Sequence, residues 1–292
     1  MKRILALLGI LCILTSGCAA PRERAQIVAT TLPVYEFTTL LCQGTPLGVT
    51  WLVTENVSCL HDYSLQVDQM RAVEAAELVV LSGAGLEDFL TDVIGDKSCI
   101  DSSKGITLLA GGHDHDHGHE HEHSHDHEAD AHIWLSPANA AIMAENICAG
   151  LTARYPQYAD IFAANLEALR QRIMQVQADG EAQLADLSCR ELITFHDGFS
   201  YFAEAFSLTV LEAVEEESGS EASAAELKHL ITLAREHNLP AVFTERSGSV
   251  SAAAVLTAEL KIKSYELDMA MAGDSWFDAM YHNIHVIKEA LG

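Results

Sequence analysis

The chain has 292 residues, of which 42 are acidic and 17 basic, giving a formal charge of −25. So acidic a surface excludes nucleic acid as a natural partner and favours cations. Seven cysteines without a CxxC pair exclude a cysteine-built zinc site.

Residues 1–17 read as a signal peptide. Lys2 and Arg3 precede an apolar run of about twelve residues, too short to span a bilayer. The stretch Leu-Thr-Ser-Gly-Cys reads as a lipoprotein cleavage site with Cys18 carrying lipid; an ordinary signal peptide would be cut near Ala19 or Ala20. Residues 18–25 would be a tether. Cys42, Cys59, Cys99, Cys148 and Cys189 remain, an odd set that leaves at least one thiol unpaired. Most are expected to be buried small apolar residues, with one disulfide open and no pairing readable.

From residue 26, short apolar runs alternate with amphipathic stretches. Strands are predicted over 27–30, 49–53, 78–81 and 106–109, and helices over 33–41, 67–75 and 86–94. Ser82-Gly83-Ala84-Gly85 is too short for a dinucleotide loop and reads as a turn. Residues 111–131 break the pattern with eight histidines among Asp, Glu, Gly and Ser, and should form a mobile loop. A helix over 137–155 follows. Residues 157 to about 187 then continue helical with almost no breaker, about 45 Å at 1.5 Å per residue. That length suits a rigid strut (156–187) between an N-terminal lobe (26–155) and a C-terminal lobe (188–292). In the second lobe strands are predicted over 192–195, 208–214, 241–244 and 262–267, and helices over 198–206, 223–237, 249–260 and 275–291. The expected fold is α/β, two parallel-sheet lobes with the ligand site in the cleft between them.

Histidine carries the chemistry. His113, His115, His117, His119, His121, His123, His125 and His127 form a tract that would bind Zn, Cu or Ni weakly and exchangeably, because imidazole is a borderline-soft ligand on a segment without fixed geometry. His119, Glu120 and His123 match HExxH, but the repetition forces that match. His61, His132 and His196 lie at junctions between loops and regular elements, whereas His229, His237, His282 and His285 lie on amphipathic helices and read as solvated faces. A fourth ligand could be a carboxylate after a C-lobe strand, Asp268 or, alternatively, Glu245. There is no GxxxxGK[ST] phosphate loop and no GxSxG elbow.

In this order, Leu60-His61-Asp62-Tyr63, Asp130-Ala131-His132-Ile133-Trp134-Leu135-Ser136-Pro137 and Phe195 through Phe202 resemble the zinc-binding solute-binding proteins of bacterial ABC importers. The turns at Phe243 to Glu245 and Leu267-Asp268 and the His-rich loop fit the same resemblance, which runs from about residue 26 to the end. It implies two lobes joined by a rigid helix, with Zn²⁺ as transported ligand held by His61, His132 and His196 and by Asp268 or water. It also implies a permease and its ATPase as partners, an extracytoplasmic, lipid-anchored location on the periplasmic or cell-surface side, and a monomer. Leu60, Ala131 and Ser136 depart from the family pattern, and Cys59 beside His61 is unusual in it. Three imidazoles and one oxygen suit tetrahedral Zn²⁺, and His196 stands where the manganese branch has a carboxylate. Such binding weakens as pH falls and imidazoles protonate. Other readings are a protein of the same type for manganese or another divalent metal, a surface zinc reservoir or adhesin without transport, and a zinc hydrolase with Glu245 as base. The reading adopted is not an enzyme.

Overall fold

A computed structural model describes residues 27–55, 57, 60, 63–111, 129–214, 222–246 and 250–292. Cys18, Cys59, His61 and the histidines from 113 to 127 lie outside the described residues.

The N-terminal lobe is built on β1 (Ile27–Ala29), β2 (Val49–Trp51), β3 (Leu78–Leu81) and β4 (Cys99–Asp101), in the order β2-β1-β3-β4 and all parallel. Helices α1 (Leu32–Leu41), α2 (Val67–Ala75) and the single turn α3 (Thr91–Ile94) connect them, and α4 (Pro137–Arg154) closes the lobe. The C-terminal lobe repeats the plan: β5 (Glu191–Thr194), β6 (Thr209–Ala213), β7 (Ala241–Glu245) and β8 (Lys263–Leu267) lie parallel in the order β6-β5-β7-β8. Its helices are α6 (Ser200–Ala205), α7 (Ala224–Glu236), α8 (Ser251–Leu260) and α9 (Trp276–Leu291). Between the lobes runs α5 (Ala159–Gln183), entered through a 3₁₀ turn at Pro156–Tyr158. In each sheet the strand order therefore reverses once, between β1 and β3 and between β5 and β7. Those are the crevices where α/β sheets bind ligands.

Local chemistry sets the helix starts. Ser136 accepts from Asn139 N–H with Pro137 in the first turn of α4, and Ser223 and Glu226 form a reciprocal capping box on α7. Two sequence expectations fail. The strand predicted over 106–109 is irregular, and the edge strand is instead Cys99–Asp101, where only Ile100 is buried. The helix predicted over 86–94 is a 3₁₀ turn (Asp88–Leu90) followed by α3. Glu87 explains that break: its carboxylate turns back to accept from Ser82 N–H (2.6 Å), Gly83 N–H (2.9 Å) and Thr30 Oγ1 (2.6 Å). Glu87 thus fills the N-lobe crevice between β1 and β3, and burial pushes its carboxyl up to about 7.

A single apolar core runs across both lobes, taking in Phe37, Trp134, Ile173, Phe202, Trp276 and Ile284. A smaller core lies on the outer side of the C-lobe sheet, around Val242, Leu230 and Leu256. Cys42, Cys99, Cys148 and Cys189 are free thiols, so no disulfide forms among the described residues. Among those residues no helix is long and apolar enough to cross a membrane.

Candidate metal centre

The C-lobe crevice lies between β5 and β7. His196 stands two residues beyond the end of β5, Glu245 ends β7, and Asp268 follows β8 directly. His132 comes from the opposite lobe, on the short segment entering α4.

His132 and His196 meet across the cleft with their Nε2 atoms 3.4 Å apart. Two nitrogens each about 2.05 Å from a tetrahedral zinc lie about 3.3 Å from one another. The pair therefore already has the spacing of two ligands of one zinc ion. A carboxylate stands behind each ring, and that of Asp130 is hydrogen-bonded to it. Asp130 Oδ1 lies 2.9 Å from His132 Nδ1 and also accepts the His132 backbone N–H at 2.8 Å. Glu245 Oε2 lies 3.8 Å from His196 Nδ1. A carboxylate can only accept, so Asp130 places the His132 proton on Nδ1 and leaves the Nε2 lone pair aimed into the cleft. Glu245 Oε2 stands on the Nδ1 side of His196, beyond hydrogen-bond reach at this distance. All four side chains are shielded from solvent, which strengthens their interaction with any cation between them.

Gly198 makes room for this. A Cβ built there would sit 2.5 Å from Met269 Cε, 2.9 Å from His196 Cδ2 and 3.1 Å from His132 Cγ. The Asp268 segment is tied in by indole bonds. Trp134 Nε1 donates to the Met269 carbonyl at 2.8 Å, and Trp276 Nε1 donates to the Trp134 carbonyl at 2.9 Å. Asp268 itself is fixed by Asn283, which accepts its N–H at 2.7 Å and donates to its carbonyl at 2.8 Å. Its carboxylate accepts from Ala270 N–H on Oδ1 and from Arg246 Nη1 on Oδ2.

Among the described residues, no three His, Cys, Asp or Glu side chains are grouped closely enough to hold a metal ion. The structure brings together His132 and His196 with Asp130 and Glu245 behind them, and leaves Asp268 paired with Arg246. Sequence reasoning named His132, His196, Glu245 and Asp268 but missed the supporting Asp130, Gly198, Arg246 and Asn283. For Asp130 a signal was present, an acid two residues before a candidate ligand. The helix histidines sit elsewhere: His237 pairs with Glu191 at 3.0 Å, His229 lies 3.6 Å from Glu212, and His282 Nε2 lies 3.0 Å from the Glu266 carbonyl.

The stems of the His-rich tract converge beside His132. Ala110 and Ala129 form an isolated antiparallel bridge, and Asp130 N–H donates to the Leu109 carbonyl at 3.0 Å. Tyr201, just beyond His196, accepts from Leu109 N–H and donates to the Asp130 carbonyl, both at 2.9 Å.

The high-affinity zinc uptake system protein ZnuA of Bacillus subtilis (strain 168) is 27% identical over 292 residues, covering 95% of this chain and 91% of that protein. The zinc-binding lipoprotein AdcA of Streptococcus pneumoniae (strain ATCC BAA-255 / R6) is 26% identical over 99% of this chain, which spans 61% of that longer relative. A crystal structure of ZnuA superposes with a TM-score of 0.79 at 30% identity, covering 92% of this chain and 100% of that one. A zinc-bound ZnuA lacking residues 138–173 of its own numbering superposes at 0.78 with 29% identity, covering 92% and 98%. The family model described as "Zinc-uptake complex component A periplasmic" matches residues 27–290, and the chain belongs to that family.

Proposed function

We propose that this chain captures Zn²⁺ outside the cytoplasm and hands it to the permease of an ABC importer driven by a separate ATPase. The observation that carries the proposal is the His132–His196 pair, with Nε2 atoms 3.4 Å apart and a carboxylate behind each ring. Imidazoles preset at zinc spacing favour Zn²⁺ over harder cations such as Mn²⁺, which prefer oxygen-rich sites. His61 and Asp268 complete the proposed ligand set, and Glu245 acts behind His196 rather than on the metal. The ZnuA and AdcA relatives, named for zinc uptake and zinc binding, support the same reading.

The cargo's route follows from the stems of the His-rich tract. Leu109 and Asp130 anchor the tract's two ends, and Asp130 also grips His132. Zinc gathered loosely by the tract is thereby released within a few residues of the cleft. Cys18, by its position after the signal peptide, would fix the protein to the membrane beside its permease, with the protein acting as a monomer.

The test is zinc titration of the metal-stripped protein, of a form lacking residues 113–127, and of His196→Ala, with Mn²⁺ as competitor. The expected result is one tight zinc site that survives loss of the tract, disappears in H196A and is indifferent to Mn²⁺. Absence of any tight site once the tract is removed would overturn the cleft as the capture site. In cells, a deletion strain should lose zinc-limited growth and regain it with the intact gene but not with H196A.

A further inference from the structure

The carboxylate of Asp268 is already held by a cation that belongs to the protein. Arg246 Nη1 lies 2.6 Å from Asp268 Oδ2, and Arg246 Nε lies 3.5 Å from Glu266 Oε1. The pair is lopsided. The Asp268 side chain is 8% exposed, whereas that of Arg246 is 47% exposed. Asp268 is pinned through its backbone to Asn283 and through Oδ1 to Ala270. Arg246 is anchored by its backbone N–H to the Leu267 carbonyl, but its long side chain reaches solvent and has a second acid within range.

A buried carboxylate needs a countercharge, and leaving one without a partner is strongly unfavourable. The guanidinium and an incoming dication are both candidates for Oδ2, and they repel each other at that distance. One must leave as the other arrives. The mobile partner is the half-solvated arginine, because Glu266 and water receive it when Asp268 does not.

We propose that Arg246 is the stand-in cation of the metal-free cleft. It balances and aims Asp268 while no zinc is present, yields Oδ2 to the arriving ion and rests on Glu266 in the loaded state. Arg246 thus sets how tightly zinc is held and how readily it is given up. It touches no metal and acts through Asp268, as a positioning residue. This inference rests on the cleft being the zinc site.

The experiment uses the full chain, metal-stripped, with zinc affinity read by competition against a chromophoric chelator and thermal midpoints read with and without zinc. Arg246→Ala should tighten zinc binding about tenfold, the low end expected for removing one nearby charge from a half-exposed pair. It should also lower the midpoint of the metal-free protein and enlarge the zinc-induced rise. R246K should behave close to wild type. The gain should vanish when R246A is combined with D268N. Should R246A fail to fold, Arg246→Gln replaces it and must shift affinity in the same direction.

Unchanged or weaker zinc binding in the folded charge-removal variant would overturn the proposal, as would an equal gain in the D268N background. His196→Ala separates the two levels. If H196A keeps wild-type affinity, the cleft reading fails and takes this inference with it. If H196A loses the tight site while R246A is neutral, only the role of Arg246 falls.

Discussion

Replacing Gly198 with alanine should damage zinc capture more than it damages the fold. The added methyl would meet Met269 Cε at 2.5 Å, His196 Cδ2 at 2.9 Å and His132 Cγ at 3.1 Å, where ordinary contact begins at 3.4 Å. Met269 ends in a flexible thioether and can swing aside. The imidazoles have less freedom. His132 is fixed by two contacts to Asp130, and His196 lies in a tight turn where Thr194 Oγ1 donates to its carbonyl at 3.1 Å. His196 must therefore give way to the methyl by about 0.5 Å (3.4 − 2.9) and His132 by about 0.3 Å (3.4 − 3.1), whereas a zinc site tolerates about 0.2 Å in its ligand distances. Overpacking of this kind costs about 1–3 kcal/mol. Most of it should fall on the zinc-bound state, because the metal-free rings can relax apart. That corresponds to zinc binding weakened about ten- to hundredfold, at 1.4 kcal/mol per factor of ten. Chelator competition measures the affinity, and thermal unfolding of the metal-free protein checks the fold. Zinc affinity within about twofold of wild type would show that the 3.4 Å imidazole spacing is not what binds the ion.

Removing the carboxylate behind His132, in Asp130→Ala, should weaken zinc binding about ten- to hundredfold, the usual effect of losing a partner that orients a metal-ligating histidine. An affinity unchanged by D130A would mean that His132 needs no help in presenting Nε2. Glu87 gives a pH signature of its own in the N-terminal lobe. Burial raises its carboxyl from 4.5 to about 7, against the lowering effect of its bonds to Thr30, Gly83 and Ser82. A raised carboxyl favours the folded state fully below its unfolded value and loses that contribution as pH climbs through the folded one. Stability due to Glu87 should therefore fall by up to about 3 kcal/mol between about pH 4.5 and about pH 8. Glutamine at this position cannot titrate, so the stability difference between wild type and E87Q, measured by urea unfolding of metal-free protein, should shrink with rising pH. A difference that is constant with pH would refute the assignment.

Why some of this was readable in sequence and some not follows from the range of the interactions. The strand Ala241–Glu245, buried at every position, announces itself through the apolar Ala-Val-Phe with which it begins. The placement of His196, Glu245 and Asp268 at the edge of the cleft was legible because α/β sheets open their crevices beyond strand ends, and all three follow or end C-lobe strands. The run Ile-Thr-Leu-Leu at 106–109 misled, since its apolarity resembles a strand while Leu108 is 39% exposed and Leu109 N–H donates to Tyr201. The real edge strand offers only Ile100 as a buried residue, too little for a periodic signal. Gly198 and Arg246 were invisible for a different reason. A glycine that matters through the space it leaves, and an arginine that matters through an acid 22 positions away, need the folded neighbourhood to be seen.

The same neighbourhood constrains how zinc gets in and out. Glu36 of α1 accepts from Ser275 Oγ at 2.9 Å and from Trp276 N–H at 2.6 Å, binding the N-terminal lobe to the start of α9. Burial raises the Glu36 carboxyl, and those two bonds oppose the rise. Trp134 and Trp276 exchange indole bonds with backbone carbonyls across the cleft, and Tyr201 ties the His132 segment to α6. With α5 spanning the interface and one core shared by both lobes, opening the cleft widely would break all of these bonds and expose the two tryptophans together. Each of these bonds contributes about 0.5–1.5 kcal/mol net and the two indoles bury large apolar surfaces, so hinge opening at the base of the cleft is the expensive route. Movement confined to the side chains at the strand ends breaks none of them. Arg246 exchanging Asp268 for Glu266 is such a movement, and it changes the charge presented to the ion without disturbing the interface beneath it.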